Sequence, residues 1–227
     1  MKDWSVVYNN WEPARHPVRE ALCTLGNGYF ATRGAAEESD AGGHDYPGTY
    51  LACGYNRLTS EVAGRKVENE DLVNWPNWLS LKFRYGRGKW FQLNEVKVLD
   101  YQLELELNNG VLKRSVHFKD TDGRETKLVS RRLVHMKFPH LAAIEWELVP
   151  LNWSGEIEIL SALDGTVTNS GVERYSDLEG RHLQPLKTGK LNDSNILLVV
   201  QSSQSKITMA QAARSKLFVN GEELKTA

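Results

Sequence analysis

Three carboxylates near the start of the chain are the first candidates for chemistry. Glu37, Glu38 and Asp40 lie within four residues of one another, and two carboxyl groups whose environments separate their pKa values can act as general acid and general base. They fall in segment 35–48, which is rich in Glu, Asp, Gly and His and is typical of an exposed loop. We therefore expect these side chains to be solvated and assign no catalytic residue.

The glycine-rich segment 20–34 could bind phosphate or simply turn the backbone. Gly26 and Gly28 flank Asn27, and these residue types adopt positive φ most readily. The segment is predicted to form a strand, a tight turn and a second strand, with a further bend at Gly34. A phosphate site would require a helix directly after the glycines. Because no helical pattern follows, a turn is the favoured interpretation.

Asn27, Tyr29 and Arg33 are candidate contacts for a sugar or for another protein surface, because they place polar groups and an aromatic ring beside this turn. Arg33 is equally suited to brace the loop by pairing with a carboxylate such as Glu20. The sequence leaves both alternatives open.

A second group of candidates is the segment that contains Trp75, Asn77 and Trp78. Indole rings stack on sugar rings and are enriched at the centres of protein interfaces. The alternatives are packing on the domain's own core, contact with another domain or subunit, and direct contact with a sugar. If the segment contacts another domain or subunit, these indoles should be partly exposed in the isolated chain.

Histidines and cysteines give no sign of a metal or redox site. None of the six histidines has another histidine four residues away, and none has a cysteine partner nearby. No metal site and no cofactor are therefore expected. Cys23 and Cys53 are expected to be free, buried thiols, since two cysteines do not make a disulfide framework in a chain of this length.

The clearest strand signal is the alternation of apolar and polar residues over 101–107. Asn109-Gly110 follows and predicts a two-residue type I′ turn. The hairpin would pair Leu107 with Leu112, Leu105 with Arg114, Leu103 with Val116, and Tyr101 with Phe118. Arg114 is the exception on this apolar face, and it would reach either solvent or a partner carboxylate.

Similar alternation at 142–148 and 156–159 indicates further strands. Turn-forming pairs separate the strands, and no long amphipathic helix lies between them. These pairs are Asp122-Gly123, Ser154-Gly155, Asn192-Asp193 and Asn220-Gly221. The pattern predicts an all-β fold, a large antiparallel β-sandwich.

Composition excludes several classes of function. The net charge of −1 is not that of a nucleic-acid-binding protein. The chain also has no N-terminal hydrophobic signal, and no apolar run approaches the roughly 18 residues that suggest a membrane span. We expect a cytoplasmic protein with no membrane and no nucleic-acid partner.

Five sequence blocks, in order along the chain, carry a family resemblance: Leu25-Gly-Asn-Gly-Tyr29 with Arg33-Gly34, and segments 48–56, 72–78, 148–155 and 162–169. They resemble the N-terminal domain of glycoside hydrolase family 65, whose members are mostly inverting phosphorylases of α-glucosyl disaccharides. The resemblance covers residues 4–214 and implies the large β-sandwich that this family shares with galactose mutarotase.

The resemblance also implies where the chemistry lies. We expect residues 1–227 to be a single sandwich domain that is cut short at its C-terminal end. An (α/α)6 catalytic barrel outside this chain would carry the general acid and the site for inorganic phosphate, the co-substrate. The expected partners are that barrel, an α-glucosyl disaccharide and, as an alternative, a second subunit of a homodimer. The isolated chain is expected to be inactive.

Two other functions are considered. A free-standing carbohydrate-binding sandwich would account for the tryptophans. A mutarotase-type aldose epimerase would need two histidines in one cleft, and His117 and His135, expected on neighbouring strands, are the candidates.

Overall fold

The protein was analysed as a computed structural model, which describes residues 4–42, 45–170 and 177–224. The described residues form β1 (Ser5–Tyr8), β2 (Leu25–Gly26), β3 (Phe30–Thr32), β4 (Thr49–Leu51), β5 (Tyr55–Val62), β6 (Arg65–Leu72), β7 (Leu81–Tyr85), β8 (Lys97–Glu106), β9 (Val111–Lys119), β10 (Glu125–Val134), β11 (Ala142–Pro150), β12 (Ile157–Ser161), β13 (Leu183–Asn192), β14 (Asn195–Ser202), β15 (Thr208–Arg214), β16 (Leu217–Val219) and β17 (Glu222–Leu224). One α-helix, α1 (His16–Leu22), and two short 3-10 helices, Pro13–Arg15 and Leu93–Glu95, complete these ranges. In the same ranges, no helix has the length and apolarity needed to span a bilayer.

The chain forms two compact units. The first comprises Met1–Pro47 and Leu81–Leu160, and the second comprises Gly48–Ser80 and Ser161–Ala227. Strands pair in antiparallel fashion within both units. The predicted all-β, antiparallel sandwich fold is confirmed.

The first unit is built on a five-stranded sheet in the order β1-β8-β9-β10-β11. Alternate side chains of these strands point to one apolar core, because successive residues of a strand face opposite sides of the sheet. Phe83, Phe118 and Leu128 lie at the centre of that core and are fully buried. The Phe91 ring stacks on Phe83 at 4.9 Å. This sheet is the platform for the candidate site described below.

The second unit contains the β5–β6 hairpin and the meander β13-β14-β15. Its core includes Val73, Trp75, Leu198 and Val200. The short hairpin β16–β17 closes with Asn220 and Gly221 at φ of 52° and 84°. Positive φ at both positions is the requirement of a type I′ turn, so the turn signal in this sequence pair is confirmed.

The predicted register of the β8–β9 hairpin is wrong by two residues. Leu105 pairs with Leu112, and Leu103 with Arg114. The connection spans residues 107–110, with the Gly110 N–H donating to the Glu106 carbonyl at 2.9 Å. Gly110 has a φ of 62°, but Asn109 does not adopt positive φ, so this turn is not of type I′. The shift is an even number of residues, so each side chain keeps its predicted face.

Candidate functional site

The glycine-rich segment 20–34 begins in a helix, so the prediction that it begins with a strand is wrong. Its first residues lie in α1, where Pro17 occupies the first turn and the helix ends as the Cys23 N–H bonds the Arg19 carbonyl at 2.9 Å. Strands β2 and β3 follow and pair through Leu25 with Thr32. The helix forms here because proline at the first turn fixes a helical φ and loses no hydrogen bond there.

Gly34 is required by a close approach of the backbone. Its N–H donates to the Glu20 carbonyl at 2.7 Å. A Cβ at this position would lie 2.7 Å from the Cβ of Cys23 and 2.9 Å from the Glu20 carbonyl oxygen. Any larger residue would therefore push the segment after β3 away from α1.

Asn27 organises the turn between β2 and β3. Its Oδ1 accepts hydrogen bonds from the N–H groups of Tyr29 at 3.0 Å and Phe30 at 3.1 Å. Its Nδ2 donates to the carbonyls of His135 at 2.9 Å and Pro139 at 3.0 Å. Asn27 therefore joins the turn to a loop more than a hundred residues later in the chain.

That loop, residues 135–141, is itself ordered by local hydrogen bonds. The His135 Nδ1 accepts from the backbone N–H groups of Lys137 at 3.1 Å and Phe138 at 3.0 Å. The Leu141 N–H donates to the Phe138 carbonyl at 3.0 Å. The His140 ring meets the Tyr29 ring edge-on, with centroids 4.3 Å apart.

The two segments together expose a group of mostly apolar side chains that we call the signature face. It consists of Tyr29, Met136, Phe138, His140 and Leu141. The exposed fractions of Met136, Phe138 and Leu141 are 75%, 53% and 55%. Side chains this apolar are costly to leave in water when they cluster, and a cluster on a fixed backbone is characteristic of a binding surface.

The expectation that Glu37 and Glu38 are solvated is wrong. They are 3% and 2% exposed, and both bind the buried guanidinium of Arg114. Its Nη1 donates to Glu38 Oε1 at 2.7 Å and its Nη2 to Glu37 Oε2 at 2.9 Å, and Nη2 also contacts Glu38 Oε2. Of the three carboxylates, only Asp40 is exposed, and it pairs with Lys82 at 2.5 Å.

A second arginine completes this buried cluster. Arg132 donates through Nη1 to the Ala35 carbonyl at 2.6 Å and contacts Glu37 Oε1 at 3.4 Å. Burial alone would raise the pKa of Glu37, but the charges of Arg114 and Arg132 outweigh burial and lower this pKa. The Arg114 pKa is raised by Glu38 and Glu37 against the opposing effect of burial. The sequence left open whether Arg114 reaches solvent or a partner carboxylate, and the contacts with Glu37 and Glu38 confirm the second alternative.

Arg33 pairs with Glu20 and so stabilises the segment after β3, which is one of the two roles predicted for it. Its Nε donates to Glu20 Oε1 at 2.8 Å, and Glu20 is fully buried. The second carboxylate oxygen of Glu20 accepts from the Tyr46 N–H at 3.0 Å. The Arg33 guanidinium also lies over the Tyr46 ring, 5.5 Å from its centroid.

The tryptophan segment belongs to the second unit and is mostly core. Trp75 has no exposed surface, so it packs on the domain's own core, and the exposure that an interface role would require is absent for this residue. A Cβ at Gly54 would lie 2.6 Å from Trp75 Nε1, which shows how closely the indole is packed. Asn77 is buried and bridges to Asp164 through two backbone hydrogen bonds of 2.8 and 2.9 Å. Trp78 is half-buried.

His117 and His135 do not share a cleft. His117 pairs with Lys127 in the β9–β10 ladder, whereas His135 follows the end of β10. Eight residues separate the two positions along the strand direction, which corresponds to about 26 Å at the usual rise of a strand. These two histidines therefore do not form the pair that the epimerase alternative requires.

Sequence reasoning found Asn27 and Tyr29 but missed loop 135–141. The available signal was a group of apolar residues around Pro139 that fits neither strand nor helix periodicity. An apolar segment of this kind, outside any regular element, is a candidate surface contact.

The described residues have an all-β sandwich fold, and the segment around Asn27 builds an ordered, mostly apolar surface. The sequence of the chain matches that of the N-terminal domain of glycosyl hydrolase family 65 over residues 6–227. The chain therefore belongs to glycosyl hydrolase family 65.

Relatives with assigned activities are similar over nearly the whole chain. The trehalose 6-phosphate phosphorylase of Lactococcus lactis is 33% identical, covering 97% of this chain and 27% of its own length. The kojibiose phosphorylase of Halothermothrix orenii is 30% identical, covering 98% of this chain and 26% of its own length. An uncharacterized glycosyl hydrolase of Mycobacterium tuberculosis, Rv2006, is 42% identical, covering 97% of this chain and 17% of its own length.

A solved structure has the same fold. It is described provisionally as a kojibiose phosphorylase from the human microbiome and superimposes with a TM-score of 0.78 at 21% identity. The match covers 97% of this chain and 30% of that one. The chain thus spans less than a third of the length of these relatives.

Proposed function

We propose that this chain is the supporting N-terminal domain of an enzyme that cleaves α-glucosidic disaccharides by inverting phosphorolysis, with inorganic phosphate as co-substrate. The names of the kojibiose and trehalose 6-phosphate phosphorylases support this substrate class. The choice of disaccharide would belong to the catalytic domain that this chain does not include.

The signature face is the observation that carries the proposal. Asn27 fixes the backbone beneath it with four hydrogen bonds, so little conformational entropy would be lost when a partner binds. Apolar side chains on a fixed backbone suit the centre of an interface between folded domains. We assign the catalytic domain as the partner of this face, with a second subunit of a homodimer as the alternative.

The state of the buried carboxylates supports a non-catalytic role. A general acid in glycoside chemistry needs a raised pKa so that it holds a proton near neutral pH. The pKa of Glu37 is lowered instead, and Glu38 is held in two contacts with Arg114. These groups are ion-pair partners that fix a loop.

The proposal is tested by assaying the purified chain with kojibiose, trehalose, trehalose 6-phosphate and maltose in phosphate buffer. We expect no glucose 1-phosphate and no free glucose above a blank without protein. Any activity that appears would be measured again in Glu37→Gln, with circular dichroism to separate loss of this carboxylate from loss of folding. Release of sugar phosphate by the wild-type chain would contradict the proposal.

A further inference from the structure

One helix and one loop of the first unit bring together His16, Glu20 and Asp45. His16 and Glu20 are four residues apart on α1 and therefore lie on the same face of this helix. Asp45 comes from the segment between β3 and β4. One potential ligand atom from each of the three residues lies within 4.8 Å of the others.

His16 is the second observation that points to a ligand. It is 2% exposed, and neither ring nitrogen has a hydrogen-bond partner among the described residues. Nε2 lies 3.0 Å from Asp45 Oδ1, an ion-pair contact when the imidazole is protonated, and it forms no hydrogen bond. A buried imidazole without hydrogen bonds is unusual, and its Nε2 faces the carboxylate of Asp45.

We propose that these residues form a structural site for a divalent transition-metal ion, with zinc preferred. One imidazole nitrogen and two carboxylate oxygens are ligands that zinc accepts, and a water molecule would complete a tetrahedron. In a tetrahedron, two ligands that are each about 2.1 Å from the ion lie about 3.4 Å apart. Ligand atoms that lie as much as 4.8 Å apart in this structure must therefore approach one another by up to about 1.4 Å on binding, and the partly exposed side chain of Asp45 is free to make that movement.

The surroundings of the three residues suit this role. Arg33 and the Tyr46 N–H each bind one oxygen of Glu20, which orients its carboxylate as the outer contacts of a metal site do. The Trp11 ring covers the imidazole of His16 at 4.7 Å. The Asp45 side chain is 17% exposed, so it offers both an entry path and the freedom to move onto the ion.

The test is titration of the EDTA-treated 227-residue chain with zinc chloride, followed by calorimetry and thermal unfolding. We expect one zinc ion per chain and a rise in the unfolding midpoint of about 5 °C or more when free zinc exceeds Kd a hundredfold. Calcium and magnesium at the same concentrations should give no such rise, because an imidazole ligand is unsuited to hard cations.

Variants locate the site. His16→Gln and Asp45→Asn should each weaken zinc binding at least tenfold, while circular dichroism without metal shows that both remain folded. The matched control is His117→Gln, which alters a histidine 3.5 Å from Glu125 that belongs to no group of three potential ligands among the described residues. This control should bind zinc like the wild type.

Cobalt substitution gives a readout that does not depend on the variants. A tetrahedral nitrogen and oxygen site should give the wild-type chain an intense visible absorption at one cobalt per chain. Absence of stoichiometric zinc binding, a cobalt spectrum like that of the aqueous ion, or unchanged binding in His16→Gln would overturn the proposal. Loss of binding in His117→Gln would do the same.

Discussion

Arg114 is the residue that holds the loop after β3 in place. Its guanidinium is buried and neutralised by Glu37 and Glu38. Removing one partner of a buried ion pair leaves uncompensated charge, and this costs roughly 3–5 kcal/mol. Arg114→Met should therefore lower the free energy of unfolding by about that amount in urea titrations.

The control is Arg131→Met, at an exposed pair with Glu145, which should change the free energy of unfolding by less than about 1 kcal/mol. Equal losses in the two variants would show that the cluster does not stabilise the fold.

Trp75 belongs to the core of the second unit. Replacing a buried tryptophan by alanine costs roughly 3–5 kcal/mol, because transfer energy is lost and a cavity remains. We expect a loss of that size for Trp75→Ala and a smaller one for half-buried Trp78→Ala, measured by urea denaturation. A loss below about 0.5 kcal/mol for Trp75→Ala would instead be that of a surface residue.

At the scale of elements, Asn109 and Gly110 should contribute differently to the stability of the β8–β9 turn, although the sequence predicted positive φ at both. Only Gly110 adopts positive φ, and a Cβ there would have open space but a strained backbone. Gly110→Val should therefore destabilise the chain by about 1 kcal/mol or more, whereas Asn109→Ala should cost less than about 0.5 kcal/mol. The control is Glu147→Gln on the exposed side of β11. Chemical denaturation that ranks Asn109→Ala above Gly110→Val would contradict this assignment.

The positions of strands could be predicted from the sequence. The register in which strands pair and the burial of the residues between them could be predicted only in part. Alternation over 101–107 is a local property and identified β8 correctly, whereas the register depended on a turn whose geometry the two residues did not determine. Glu37 and Glu38 resembled a solvated loop because the burial that they experience comes from Arg114, far away in sequence. The arginine within an apolar strand pattern was the available signal of that burial.

For the whole molecule, the family segments proved more informative than residue chemistry. Asn27 and Tyr29 were recognised as candidates, but the surface that they form exists only because Asn27 bonds loop 135–141. No local pattern encodes that contact between distant segments. The candidate tryptophans were selected by type, and type alone could not distinguish a core indole from an interface indole.

The central claim, that the signature face docks the catalytic domain, can be tested in a chimera. In it, this chain replaces the matching N-terminal region of the Halothermothrix orenii kojibiose phosphorylase. The test variant carries Met136→Ser, Phe138→Ser and Leu141→Ser, and the control carries Leu186→Ser and Leu191→Ser at other exposed leucines. In the isolated chain, urea titration should show that both sets change stability by less than about 0.5 kcal/mol per site.

The decisive measurement is the rate of kojibiose phosphorolysis by the three chimeras, with thermal unfolding recorded alongside. We predict that the test variant loses at least tenfold in activity and that its domains unfold in separate transitions, while the control behaves like the parent chimera. Equal activity and a single shared transition in all three proteins would contradict a docking role for the signature face.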